Sequence, residues 1–190
     1  MNDMFGNAIT NKLETLPPQL QNACQATIVV IEQLVSQPVT TNQFYETLVK
    51  TIHTVFDLYS ANLYTIEAHG RWAILKAGTS DFAQLAIQKG HRLPLDGLTL
   101  IAKVAKTNQS FAAFDLGQDE TEYASPVFSP VKSQLVVPIM LPNEDTSVGV
   151  LDIQSDKHKA FEEAHFVAFS IIATCIAHAF RDIFPNKSFQ

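Results

Sequence analysis

An α+β domain with a mostly antiparallel sheet is predicted by three features of this sequence. Both ends carry apolar residues at helical spacing, the middle switches to strand-like alternation, and the β-rich runs are joined mainly by turn-like links. Length and charge fit this. At 190 residues the chain suits one compact core, and 17% charged against 46% hydrophobic residues excludes disorder for the bulk of it. With 13 Lys and Arg against 19 Asp and Glu the net charge is −6, and no basic block is present. The electrostatic footprint of a nucleic-acid binder is missing, so no nucleic-acid partner is expected.

Residues 1–19 are polar, contain Pro17-Pro18 and read as a flexible N-terminal arm. From 20 to 35, Leu20, Cys24, Thr27, Ile31 and Leu34 recur at alternating four- and three-residue steps, which predicts an amphipathic helix that Pro38 ends. Thr41 offers a partial N-cap for a second helix to about Phe56, with Phe44, Leu48, Ile52, Val55 and Phe56 inward. Residues 61–66 and 72–77 read as a hairpin turning at His69-Gly70, and residues 82–87 as irregular. Arg92-Leu93-Pro94-Leu95 follows, then a short helix at 98–107 and a strand at 111–114. A polar, Pro-punctuated stretch covers 115–133. Two β-rich runs at 134–140 and 147–155 precede a long helix at about 162–184, stopped by Pro185.

The last helix is apolar almost all round: Phe166, Phe169, Ala173, Ile176, Phe180 and Ile183 form one stripe, while Val167, Ile171, Ile172 and Cys175 occupy other sides. It needs its own sheet and something more to pack on. The helix at 20–35 is one candidate, and the same pair from a second copy would complete a four-helix bundle. A homodimer through residues 20–35 and 162–184 is therefore expected, against the alternative of a helix central to a monomer. The apolar run at 166–180, interrupted by Ser170, Thr174 and His178, is shorter than the roughly 20 residues a bilayer needs, so no membrane span is expected. No secretory signal is visible at the N-terminus, and two isolated cysteines, Cys24 and Cys175, suit a reducing cytoplasm as packing residues.

Several stretches in the second half match one family in order. They are Arg92-Leu93-Pro94-Leu95-Asp96-Gly97, Phe114-Asp115-Leu116-Gly117-Gln118-Asp119, Ser133-Gln134-Leu135-Val136-Val137-Pro138-Ile139, and Val148-Gly149-Val150-Leu151-Asp152-Ile153-Gln154-Ser155-Asp156 with Ala160-Phe161 after it. Over about residues 40–184 the chain resembles a stand-alone, bacterial-type GAF sensor domain. The resemblance implies a six-stranded antiparallel sheet with terminal helices on one face and a ligand pocket, roofed by a helix and a loop, on the other. It divides the chain into an arm at 1–19, a dimerisation helix at 20–37, the GAF domain at 38–184 and a tail at 185–190. With no further domain expected, output would pass through a partner protein or the dimer itself.

Specialised members of that family do not fit. Free methionine-(R)-sulfoxide reductases need cysteine thiols in the central loops, and none lies between Gln25 and Thr174. Of that group's three acidic pocket positions, Gln134 and Gln154 replace two and Asp152 retains one. Covalent bilin attachment also lacks its thiol. The acidic pair of the cyclic-nucleotide pattern is replaced by His165-Phe166, although Phe161 matches. No Gly-rich phosphate loop or nucleophile elbow occurs. The histidines His53, His69, His91, His158, His165 and His178 form no ligand pair, so neither metal nor cofactor is implied.

Strand parity then selects candidate ligand contacts. Ala61 and Leu63 should face the helices, leaving Asn62, Tyr64 and Ile66 on the other side, and the same reasoning groups Gln134 with Val136 and Asp152 with Gln154. Such polar residues on buried strands need partners, either a polar ligand or loop backbone and water. Arg92, which would balance a ligand carboxylate or Asp152, and Asp115 and Tyr123 on the roof complete the candidate set, with Asp115 also a turn cap. The expectation is a non-enzymatic sensory module that binds a small polar ligand non-covalently. The alternatives are a ligand-free dimerisation or docking module and, further off, a cyclic-nucleotide binder or a sulfoxide reductase relative.

Overall fold

The computed structural model describes residues 6–67, 69–116, 130–141 and 144–184. Among these described residues, six helices and six strands follow in the order α1 (Gly6–Glu14), α2 (Pro18–Val35), α3 (Thr41–Val55), β1 (Ser60–Ile66), β2 (Trp72–Gly78), α4 (Asp81–Gln88), β3 (Arg92–Pro94), α5 (Leu100–Thr107), β4 (Phe111–Ala113), β5 (Ser133–Met140), β6 (Ser147–Ser155) and α6 (Glu163–Ile183). The strands make one antiparallel sheet in the order β3-β2-β1-β6-β5-β4. The α+β class, the antiparallel sheet and the terminal helices on one face are as the sequence implies.

The two faces of the sheet carry separate apolar cores. On one, Ala61 and Leu63 of β1, Leu135, Val137 and Ile139 of β5, and Leu151 and Ile153 of β6 pack against α2, α3 and α6. An aromatic cluster seals this side: the Tyr45 and Phe180 rings stack 6.0 Å apart, Phe44 meets Phe180 edge-on at 6.3 Å, and Phe56 lies 4.6 Å from Phe169. On the other face Tyr64, Ala73, Leu75, Val136 and Val150 meet Ala83 and Ala86 of α4 and Leu100, Ile101, Ala102 and Val104 of α5. Asn108 ends α5 in the left-handed region (φ 56°), and its amide ties that end to the β5–β6 link through Ser147 and the Asp145 carbonyl.

Four expectations need correction. Residues 6–14, read as part of a loose arm, form α1, whose end and following turn bury Leu13 and Leu16 in the helix-side core; residues 1–5 lie outside the described residues. The cap of α3 is Thr40 rather than Thr41, in a reciprocal box: Gln43 N–H donates to Thr40 Oγ1 at 3.2 Å and Thr40 N–H to Gln43 Oε1 at 2.9 Å. The segment read as irregular at 82–87 is α4, capped by Ser80, whose Oγ accepts from Ala83 N–H at 3.2 Å. Finally, α6 is 21 residues long and therefore is long and apolar enough to cross a bilayer, so length does not decide its role. Burial does: Ala168, Phe169, Ile172, Cys175, Ile176, Ala179 and Phe180 are sealed inside the fold, where α6 packs on α2 and β5.

Candidate functional site

Antiparallel register assembles a polar cluster from three strands. Asn62 of β1 stands opposite Asp152 of β6, and Gln134 of β5 stands opposite Gln154 of β6. Because the side-chain period of a strand is two, all four share the face that carries Tyr64, Val136 and Val150, beneath α4 and α5. Asp152 is 1% exposed and is the hub. Its Oδ1 accepts from Gln134 Nε2 at 2.7 Å, and its Oδ2 accepts from Asn62 Nδ2 at 3.1 Å and from Gln154 Nε2 at 2.9 Å. Ser60 Oγ donates to Asn62 Oδ1 at 3.2 Å and fixes that amide in turn.

Burial is the dominant electrostatic influence. It pushes the Asp152 carboxyl up to about 6, against the pull of the amides of Gln134, Asn62 and Gln154, which favour the ionised form. Tyr64 is raised above its ordinary value, first by burial and then by the negative charge of Asp152. The His91 ring meets Tyr64 edge-on with centroids 6.5 Å apart.

Sequence reasoning overlooked two supports. Ser60 has the same parity as Asn62 and could have been added by extending the strand. Gly78 could not, since its role depends on register: it pairs with Asn62, and a Cβ there would lie 2.5 Å from both the Ala83 Cβ and Asn62 Oδ1. The lack of a side chain lets α4 sit down on β2 beside the Asn62 amide. The Gly78 carbonyl also accepts a hydrogen bond from Gln84 of α4.

Of the eight residues selected from the sequence, Asn62, Tyr64, Gln134, Asp152 and Gln154 share this region. Arg92 does not. It pairs with Ile74, out of phase with Leu93 and Ala73, and so lies on the opposite face at the sheet edge, exposed, with its guanidinium carbon 4.4 Å from the centroid of the Trp72 ring. Asp115 is engaged elsewhere too: its Oδ1 is 2.8 Å from His158 Nδ1 and its Oδ2 is 3.9 Å from Lys159 Nζ, which ties the end of β4 to the loop before α6. Tyr123 lies outside the described residues. Both cysteines are buried on the helix side, and burial pushes each thiol up to about 12.

No family model matches the chain, and no curated protein matches it either. Solved structures do. The free methionine-R-sulfoxide reductase of Neisseria meningitidis, solved with its substrate, superposes with a TM-score of 0.68 at 15% identity over 86% of this chain and 92% of that one. The GAF domain of an Acinetobacter phosphoenolpyruvate-protein phosphotransferase gives 0.68 at 17% identity over 85% and 94%. The corresponding domain from Coxiella burnetii gives 0.66 at 18% over 82% and 92%. Likeness at such identities is likeness of fold, and the fold of this chain is GAF-like.

Proposed function

We propose that this chain is a cytoplasmic, non-enzymatic sensory module that binds a small polar ligand non-covalently over the Asn62, Tyr64, Gln134, Asp152 and Gln154 region. The observation that carries the reading is the buried carboxylate held by three amides on the sheet face opposite the terminal helices. A core that needed only packing would be more stable with apolar residues here, since burying a charge costs several kcal/mol unless it is well compensated. Ligand binding would act through the strands. Residues that alternate with the cluster, Leu63, Leu151 and Ile153, pack directly on the helix-side core, so a shift in β1 or β6 reaches α6 and α2 and changes the balance of helix arrangements.

The neighbouring structures include both GAF domains and sulfoxide reductases, and the thiols favour the former reading. Thiol-dependent reduction needs a thiolate beside the bound sulfoxide. Cys24 and Cys175 lie on the wrong side of the sheet and, with thiols pushed up to about 12, are almost wholly protonated at neutral pH.

Native mass spectrometry of the gently purified protein tests the site. A retained small molecule is expected, and Gln134→Leu should abolish both its retention and its stabilising effect in thermal unfolding. A protein that carries nothing, or a variant that retains the molecule unchanged, would count against the assignment.

A further inference from the structure

Resting on the ligand-site reading above, we propose that the group seated against Gln134, Asp152 and Gln154 is a positively charged hydrogen-bond donor, an ammonium or amidinium, and that anions are refused there. The argument starts from donor direction. An ionised carboxylate only accepts, so the three amides around Asp152 must each turn a nitrogen inward. Their oxygens then point elsewhere. Asn62 Oδ1 is taken by Ser60 Oγ, whereas the Oε1 atoms of Gln134 and Gln154 accept no hydrogen bond from any described residue, and both side chains are half-buried rather than sealed. What the cluster offers outward is a pair of carbonyl acceptors above a buried negative charge. Each amide keeps one further N–H, but an anion using it would be brought close to Asp152 in a region of low dielectric.

Charge on the surrounding elements agrees. Burial and the three amides are the influences that shift Asp152, with no basic side chain of the described residues among them. Lys103 of α5 sits 3.8 Å over the Phe111 ring at the β4 edge, His91 meets the Tyr64 ring edge-on, and Arg92 is on the opposite face. Tyr64 adds an aromatic ring on the same face, a surface on which cations rest favourably.

Titration with acetamidinium and methylammonium, against acetate and dimethyl phosphate, tests the charge preference. The readout is the NMR signals of the Gln134 and Gln154 side-chain amides. The cations should move these signals saturably and the anions should not, and Asp152→Asn should weaken the cations at least tenfold. Gln154→Met, a change at a half-buried position, should also weaken them and serves if Asp152→Asn fails to fold. Saturation by the anions, or by both classes alike, overturns the charge assignment while leaving a ligand site in place. If neither class binds and the purified protein retains no small molecule, the ligand reading itself falls.

Discussion

At the scale of single residues, Asp152 carries the sharpest consequence. Its folded pKa of about 6 exceeds the ordinary 3.8, so between these values the folded protein binds more protons than the unfolded chain. Stability from this group is therefore greatest below pH 4, falls as pH rises towards 6, and is flat above. The ionised group costs roughly 3 kcal/mol at neutral pH. Asp152→Asn should accordingly be about 1–2 kcal/mol more stable than wild type at pH 7.5, with one amide turned to satisfy the new N–H, and the advantage should vanish near pH 4. Urea midpoints across that range measure it, and an advantage independent of pH would show that Asp152 is not raised. Gly78→Ala should cost about 1–3 kcal/mol and disturb the Asn62 amide signal, because its Cβ has nowhere to go without moving α4. Alternation alone made the parity of Asn62, Gln134, Asp152 and Gln154 legible. The partnership of Asn62 with Asp152 depends on a pairing between residues 90 apart in sequence, and no local pattern encodes it. Arg92 was misplaced for a related reason: a three-residue edge strand has too little alternation to reveal its face.

At the scale of elements, the differences between sequence and structure come from where large side chains point. In α4 the small residues Ala83 and Ala86 are buried while Phe82 and Leu85 are 65% and 55% exposed, so the apolar pattern faces outward and disguises the helix. In α1 and the turn after it, Ile9, Leu13 and Leu16 do follow a four-then-three spacing, but polar neighbours and the nearby prolines mask so short a run. That spacing implies that the N-terminal segment belongs to the folded core. Leu13→Ala and Leu16→Ala should each lower stability by about 2–4 kcal/mol in chemical denaturation. Changes within about 0.5 kcal/mol would mean that α1 is a peripheral arm after all. By contrast, the strands and α6 were legible to within a residue or two, since nine-residue alternation and a long apolar helix leave few other readings.

At the scale of the molecule, much of the apolar girth of α6, which by sequence calls for a second copy, is accounted for within one chain. The sheet covers one side, and α1 and α2 cover others. A homodimer through α2 and α6, which we propose as the route by which the sheet signals outward, must therefore use what those helices leave outside. On α2 this is Val29, 49% exposed, with Ala26 beside it one turn earlier; on α6 it is the half-buried Val167 and Ser170 with exposed Thr174. These side chains are small, which allows close helix approach, but they bury little apolar area, so association should be weaker than a fused hydrophobic core would give. Light scattering at micromolar concentration should give twice the 21.0 kDa of one chain, and Val29→Arg should return it to a single chain without loss of helical signal. A wild-type mass of one chain at these concentrations would remove the dimer. Ligand-induced motion of the sheet would then have to be read from the surface of α2 and α6 by a different protein.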